Sequence, residues 1–170
     1  KSCNIAASRA KGDYLLFQNN DCFFDGSQLA DFISLFTKLN AGILAPTLIN
    51  EDGTLQDAGV RISPSGHSRL IGIGDPAAAS WSKGYREVNF ISSACFLIKS
   101  DLWHALEGFD EIYDFGYYED TELCLRVRET GRKLFVSDTI RAKHLMSATT
   151  ASVSDEKKLR HLHLNRHTFL

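Results

Sequence analysis

A chain of 170 residues with 44% hydrophobic and 24% charged positions is the size of one domain, enough to bury roughly 70% of its unfolded surface. Nineteen basic residues against 21 acidic ones leave a net charge of −2, without the basic excess that a nucleic-acid-binding face needs, so no nucleic acid is expected as partner. The four cysteines form no CxxC pair, and Cys95 and Cys124 lie in apolar runs, where they read as small buried hydrophobes of a reducing compartment.

The chain opens on Lys1, and Asn4 to Ala10 resembles a helix already under way, so the sequence is expected to be a fragment of a longer polypeptide. No secretory leader and no apolar run of the roughly 18 residues a membrane span needs are visible, which points to a cytoplasmic location. Tyr14 to Phe17 is a short apolar run bounded by Gly12-Asp13 and Asn19-Asn20-Asp21, the pattern of a strand covered on both faces. Leu29, Phe32, Ile33, Phe36 and Leu39 fall at helical spacing, with Asp25 or Ser27 as N-cap and Gly42 past the end. Ile43 to Ala45 is then a second buried strand, and strand–helix–strand predicts an α/β unit with a parallel sheet.

Thr47 to Ile49 and Leu55 to Ile62 flank Asn50-Glu51-Asp52-Gly53, a hairpin signal. Residues 63–87 show no periodicity and read either as an active-site lid or as simple surface disorder. Val88 to Ile91 and Ala94 to Ile98 make one or two further strands. A short helix capped by Ser100 or Asp101 follows, then a helix over 119–130 closed by Gly131. Leu134 to Val136 and Ile140 to Met146 read as strands, and a basic amphipathic helix begins at Ser152 or Ser154.

Three places carry candidate chemistry. Asn19-Asn20-Asp21 directly follows a buried strand, where open α/β sheets bind ligands; Asp21 offers a hard oxygen for Mg²⁺ or Mn²⁺, and Asn19 a neutral one. The same residues also suit a plain Asx turn. Glu119-Asp120 opens a helix, where acidic side chains complement the helix dipole; with Gly108-Phe109-Asp110-Glu111 and the aromatics Phe115, Tyr117 and Tyr118 nearby, they also suit a base beside a sugar ring. A carboxylate at a helix N-terminus is expected to stay ionised. His144, on a predicted strand, is either a structural residue or the nitrogen ligand that completes an Asp/Asn/His set. His161, His163 and His167 read as a solvated face, as does the basic helix around Lys157, Lys158, Arg160 and Arg166, whose alternative is peripheral contact with an anionic membrane.

Taken in order, six segments resemble glycosyltransferase family 2, whose members are inverting enzymes of the GT-A fold. Ala10 to Asp21 resembles the strand that leads into the family's metal-binding DXD-type motif. Leu48 to Gly59 resembles a hairpin of its bacterial polysaccharide-building, rhamnosyltransferase-like branch. Ser93 to Ile98, Gly108 to Glu111 and Glu119 to Arg126 resemble the stretch that ends in the family's catalytic ED motif, and the string holding His144 and Ser147 matches a late metal-associated histidine.

The resemblance implies a GT-A-like α/β fold, a mixed, mostly parallel sheet flanked by helices. It implies a catalytic core over 1–150, lacking its first strand–helix–strand and so half of the nucleotide site, with 151–170 as a C-terminal helix of the same domain. It implies Asp21 and His144 as holders of Mn²⁺ or Mg²⁺, Asp120 as general base, and Asn19, Asn20, Asp110, Glu111, Tyr118 and Glu119 as contacts to donor or acceptor. The partners so implied are a UDP- or dTDP-sugar and a saccharide or lipid-linked saccharide acceptor. Asn19 stands where a strict DXD has its first carboxylate, which implies weaker metal binding. A non-catalytic domain binding a saccharide or a protein, and a metal-dependent hydrolase using Asp21, Asp120 and His144, are the alternative readings.

Overall fold

The computed structural model describes residues 1–62, 68–74, 84–113, 116–145 and 154–169. Helix α1 (Ser2–Arg9) leads into β1 (Tyr14–Gln18) and β2 (Cys22–Phe24), and a 3-10 turn (Gly26–Gln28) opens α2 (Leu29–Leu39). Then come β3 (Ile43–Ile49), β4 (Leu55–Asp57), β5 (Val60–Ile62), β6 (Ser68–Leu70), β7 (Tyr85–Val88) and β8 (Cys95–Lys99). The chain continues through α3 (Ser100–Ala105), α4 (Glu119–Glu129), β9 (Leu134–His144) and α5 (Asp155–Phe169).

Among the described residues one seven-stranded sheet runs β1-β8-β3-β9-β2, with β4 paired to β3 and β7 to β9. The expected α/β architecture, a mixed sheet flanked by helices, holds. Its weighting differs from the mostly parallel sheet read from the sequence: β3 and β9 pair in parallel, and the other ladders described are antiparallel. The reason is an insertion. β1, α2 and β3 do form a strand–helix–strand unit, but β8 sits between the two strands and runs against both. An unbroken apolar run reports burial on both faces, and a buried antiparallel strand satisfies it as well as a parallel one.

Along β3, β8 and β9 alternate side chains go to opposite faces, as the two-residue period of a strand requires. Ile43, Ala45, Phe96, Ile98, Leu134 and Val136 point into a cluster covered by Trp103 of α3 and by Leu123 and Val127 of α4. Leu44, Leu97 and Phe135 point the other way, onto Phe32 and Phe36 of α2. Asp25 accepts a hydrogen bond from Ser27 N at 2.9 Å, as its N-cap reading anticipates, but α2 ends at Asn40 in the left-handed conformation (φ 46°). Gly42 serves packing instead: a Cβ there would meet Val127 Cγ1 at 2.4 Å.

Two predicted breaks are absent. Ile43 to Ile49 is one strand that runs through Pro46, and β9 is continuous where two strands were expected. Proline cannot donate to a ladder, and the β3–β9 register slips between Pro46 and Thr47, so that Pro46 faces Ser137 while Thr47 faces Arg141. Ser137 Oγ accepts from Ile140 N at 3.1 Å inside the bulge, and Thr47 Oγ1 donates to Ser137 O at 2.6 Å. The bulge carries β9 from its pairing with β7 to its pairing with β2. The hairpin is shorter than expected, because β4 stops at Asp57 and β5 pairs with β6 in a separate two-stranded sheet. Of the predicted 63–87 loop, residues 63–67 and 75–83 lie outside the described residues, as do Phe115 and Ser147. No helix among the described residues is long and apolar enough to cross a membrane.

Phe36 is 1% exposed and meets Tyr14 edge to face at 5.5 Å. Phe36→Ala should lower stability by about 3–5 kcal/mol, read as a lower urea midpoint with an unchanged slope.

Candidate functional site

β1 ends at Gln18, and the next three residues turn. Cys22 N donates to Asn19 O at 3.0 Å, while Asn19 N donates to Ala94 O at 2.9 Å and so anchors the turn to the approach of β8. Asn19-Asn20-Asp21 thus forms a backbone turn, with Asn19 and Asn20 exposed and Asp21 buried. β2 then pairs with the far end of β9, Cys22 opposite His144, and Leu145 N donates to Asp21 O at 2.9 Å. These ladders bring Asp21 Oδ1 to 3.2 Å from His144 Nε2.

The tautomer of His144 follows from its neighbours. Gln56 Nε2 donates to Asn50 Oδ1 and to His144 O, both at 2.9 Å, which turns Gln56 Oε1 onto His144 Nδ1 at 2.6 Å. An amide oxygen only accepts, so Nδ1 carries the proton and Nε2 faces Asp21 Oδ1. Among the described residues, buried Asp21 Oδ1 has no hydrogen-bond partner. A lone pair and a carboxylate oxygen at this distance attract only if a cation lies between them, either a proton or a metal ion. The donor set therefore fits a hard divalent ion, as one carboxylate oxygen and one neutral imidazole nitrogen. It is a two-residue set: among the described residues no group of three or more His, Cys, Asp or Glu is placed to hold a metal.

The second acidic group begins α4. Gly116, Tyr117 and Tyr118 have φ of 97°, 71° and 74°, three successive left-handed residues that turn the chain into Glu119. Such backbone costs about 1–3 kcal/mol for each non-glycine residue and persists only where its surroundings hold it. Asp120 Oδ1 accepts from Thr121 N at 2.8 Å and Oδ2 from Ser93 N at 3.3 Å. A small cavity lined by Ile43, Ile91, Phe96, Phe109, Leu123 and Cys124 lies against the Asp120 side chain. Burial in this surrounding, with Glu119 adding like charge, pushes the Asp120 carboxyl up to about 7. The ionised state expected of a helix N-terminus is thus balanced against desolvation, and desolvation prevails over the backbone bonds. Burial also raises Glu119, whose Oε2 has no hydrogen-bond partner among the described residues.

Asp110 and Glu111 are exposed and tied locally. Asp110 Oδ1 accepts from Ile112 N at 2.9 Å, and Glu111 is held by Asn4 Nδ2 at 3.3 Å and by Lys1 Nζ at 3.9 Å. Their loop is pinned to α1 by Asn4, which exchanges two bonds with the Phe109 backbone at 2.8 and 3.0 Å. Arg126 of α4 holds the same loop from below through Leu106 O and Gly108 O.

The two acidic groups are linked by hydrogen bonds to one segment to which the sequence reading assigns no role. Ser92 Oγ donates to Asp57 Oδ2 at 2.7 Å, Ser93 N donates to Asp120, and Ala94 O accepts from Asn19 N. Three consecutive residues thus bond to Asp57, to Asp120 and to the turn that carries Asp21. Asp57 is 7% exposed, is further held by Gly59 N at 2.7 Å, and is raised by burial. The available signal was polar residues in apolar company: Gln56-Asp57 ahead of a buried strand, and Ser92-Ser93 ahead of Ala-Cys-Phe-Leu-Ile.

No family profile matches the chain. Over 155 residues, 86% of its length, the chain is 31% identical to the O-antigen biosynthesis protein RfbC of Myxococcus xanthus, covering 12% of that protein. Over 133 residues it is 27% identical to the uncharacterized protein y4gI of Sinorhizobium fredii, covering 75% of the chain and 15% of that protein. The chain therefore spans a small part of the length of the curated relatives it matches. Among solved structures, GalNAc-T7, crystallised with UDP, GalNAc and Mn²⁺, superposes with a TM-score of 0.66 at 18% identity, covering 84% of this chain and 29% of its own. Residues 1–349 of TarS from S. aureus superpose with a TM-score of 0.51 at 15% identity, covering 96% of this chain and 49% of its own. The shared architecture is the GT-A fold of glycosyltransferases, as the sequence resemblance implied.

The raised Asp120 has a consequence for stability. Its carboxyl binds a proton more tightly in the folded chain than at its ordinary value of 3.8, so folding takes up a proton between that value and about 7. This contribution to stability falls as pH rises through that window. Asp120→Asn should remove it, making the variant more stable than the parent at about pH 8 and closer to it near pH 4, by urea unfolding at both.

Proposed function

We propose that this GT-A-fold chain, which resembles glycosyltransferase family 2, is the catalytic core of an inverting, metal-assisted glycosyltransferase. The donor is a nucleoside diphosphate sugar, a UDP- or dTDP-sugar, and the acceptor a saccharide or lipid-linked saccharide of a cell-surface polysaccharide. The observation that carries this reading is the Ser92–Ala94 segment, which bonds to Asp120 on one side and to the Asn19–Asp21 turn on the other. The name of the O-antigen biosynthesis relative and the UDP and Mn²⁺ of the GalNAc-T7 crystal support it from outside the chain.

Each residue then has a task. Asp21 and His144 would hold Mn²⁺ or Mg²⁺ through the carboxylate oxygen and the imidazole nitrogen that face each other. When bound, the ion supplies Lewis acidity against the charge of the departing nucleoside diphosphate. Asn19 contributes at most a neutral oxygen, which makes the histidine's share larger. Asp120 accepts the proton of the acceptor hydroxyl as that oxygen attacks the anomeric carbon from the face opposite the leaving group. A carboxyl titrating at about 7 is well matched to this work, since it is partly ionised at neutral pH yet basic enough to take a proton. One displacement inverts the anomeric centre. Glu119, Tyr118, Asp110 and Glu111 serve the sugar hydroxyls and ring faces, and Asn19 and Asn20 the donor.

Three measurements test this. In the complete polypeptide, Asp120→Asn should lower turnover by about 10²–10⁴-fold while calorimetric binding of the nucleotide sugar stays unchanged; near-normal turnover would remove Asp120 as base. The turnover of the parent should rise with pH and level off above about 7, since only the deprotonated carboxylate accepts a proton. Gln56→Leu, which takes away the acceptor for the His144 Nδ1 proton, should weaken Mn²⁺ binding in the presence of UDP by about 10–100-fold; equal Mn²⁺ affinity in the variant would dismiss the paired ligands.

A further inference from the structure

Helix α5 packs in an unusual way. Its leucines face out, Leu159 54%, Leu162 36% and Leu164 52% exposed, and its buried residue is Asn165, at 5%. A helix that docked by apolar contact would do the reverse. The Asn165 Nδ2 donates to Gly116 O at 2.7 Å and to Tyr117 O at 3.1 Å, using both of its protons on successive carbonyls. One turn on, Phe169 lies against the Tyr118 ring with centroids 5.3 Å apart. Asn165 and Phe169 stand four positions apart, on one face of the helix. Together they grip the three left-handed residues that end on Glu119 and Asp120.

We propose that Asn165 is a positioning residue: α5 latches the 116–118 run in its left-handed conformation and thereby sets where the Asp120 carboxylate stands. The inference rests on the proposed role of Asp120 for its catalytic consequence, but not for the latch itself. The chemistry is specific to an amide donor. Two carbonyls are met by two N–H groups on one nitrogen, and left-handed backbone at a non-glycine residue persists only where its surroundings hold it, so losing these donors favours relaxation at Tyr117 and Tyr118. Glu119 and Asp120 follow directly, so a change in the direction of the chain at Tyr118 moves both carboxylates relative to Ser93, the backbone donor to Asp120.

The test uses the complete polypeptide and two readouts. Asn165→Asp keeps the shape and loses the donors, Asn165→Gln keeps the donors, and Leu159→Ser on the exposed side is the control. Native-state hydrogen exchange of the backbone amides at 117–121 should quicken by at least about ten-fold in Asn165→Asp, less in Asn165→Gln, and not in Leu159→Ser, as expected for the loss of two hydrogen bonds. With UDP-glucose as the probe donor, kcat read from UDP release should fall by about ten-fold in Asn165→Asp with KM within a factor of about two, and recover in Asn165→Gln. Unchanged exchange in Asn165→Asp overturns the latch, and so does a loss of global stability that accounts for all of the exchange. Faster exchange with unchanged kcat overturns the positioning role. If the parent itself releases no UDP, the functional reading fails separately, and exchange alone decides the latch.

Discussion

A buried carboxylate must find donors or give up its charge, and this constraint organises the whole polar end of the sheet. Ser92, Ser93 and Ala94 lie where β8 begins, and they supply what the neighbouring elements lack. Asp57 takes the Ser92 hydroxyl, Asp120 takes the Ser93 amide, and Asn19 gives its amide to Ala94. Without these three residues the turn after β1, the end of β4 and the start of α4 would have no common partner. The candidate site is thus built around a backbone segment that carries no ionisable group of its own.

That segment reaches its place because β8 is inserted between β1 and β3. An antiparallel strand there starts at the edge of the sheet where the parallel-running β1 and β3 end, so its approach passes beside Asp21 and Asp57. The bulge in β9 does the matching work on the other side. Pro46 interrupts the ladder, β9 bends, and its last residues turn from β7 to β2, which lays His144 beside Asp21. A proline in a central strand and an irregular register are in this sense part of the site's construction.

The two halves of the site differ in how their charge is managed. At Asp120 the balance lies between desolvation, which raises the carboxyl to about 7, and two backbone N–H groups that lower it. At His144 it lies in proton placement: Gln56 fixes a proton on Nδ1 and turns Nε2 toward the Asp21 carboxylate, 3.2 Å away. The first arrangement suits proton transfer and the second suits a cation. Both depend on second neighbours, Ser93 and Gln56, that are ordinary polar residues in the chain.

The order of strands and helices was legible in the sequence because apolar period and helix length are local properties. The acidic candidates stood out locally too, Asp21 because it follows an apolar strand run and Glu119 and Asp120 because they open a helix. Strand direction was not legible, because burial on both faces leaves the same pattern in parallel and antiparallel strands. Nor were Gln56, Ser92, Ser93 and Asn165, whose parts come from partners 27 to 88 positions away. Hydrogen bonds of that span depend on register and packing, which no window of sequence contains. The identity of the acidic residues was thus a property of the chain, and the raised proton affinity of Asp120 and the pairing of Asp21 with His144 were decided by tertiary structure, because desolvation and approach exist only once the sheet has closed around them.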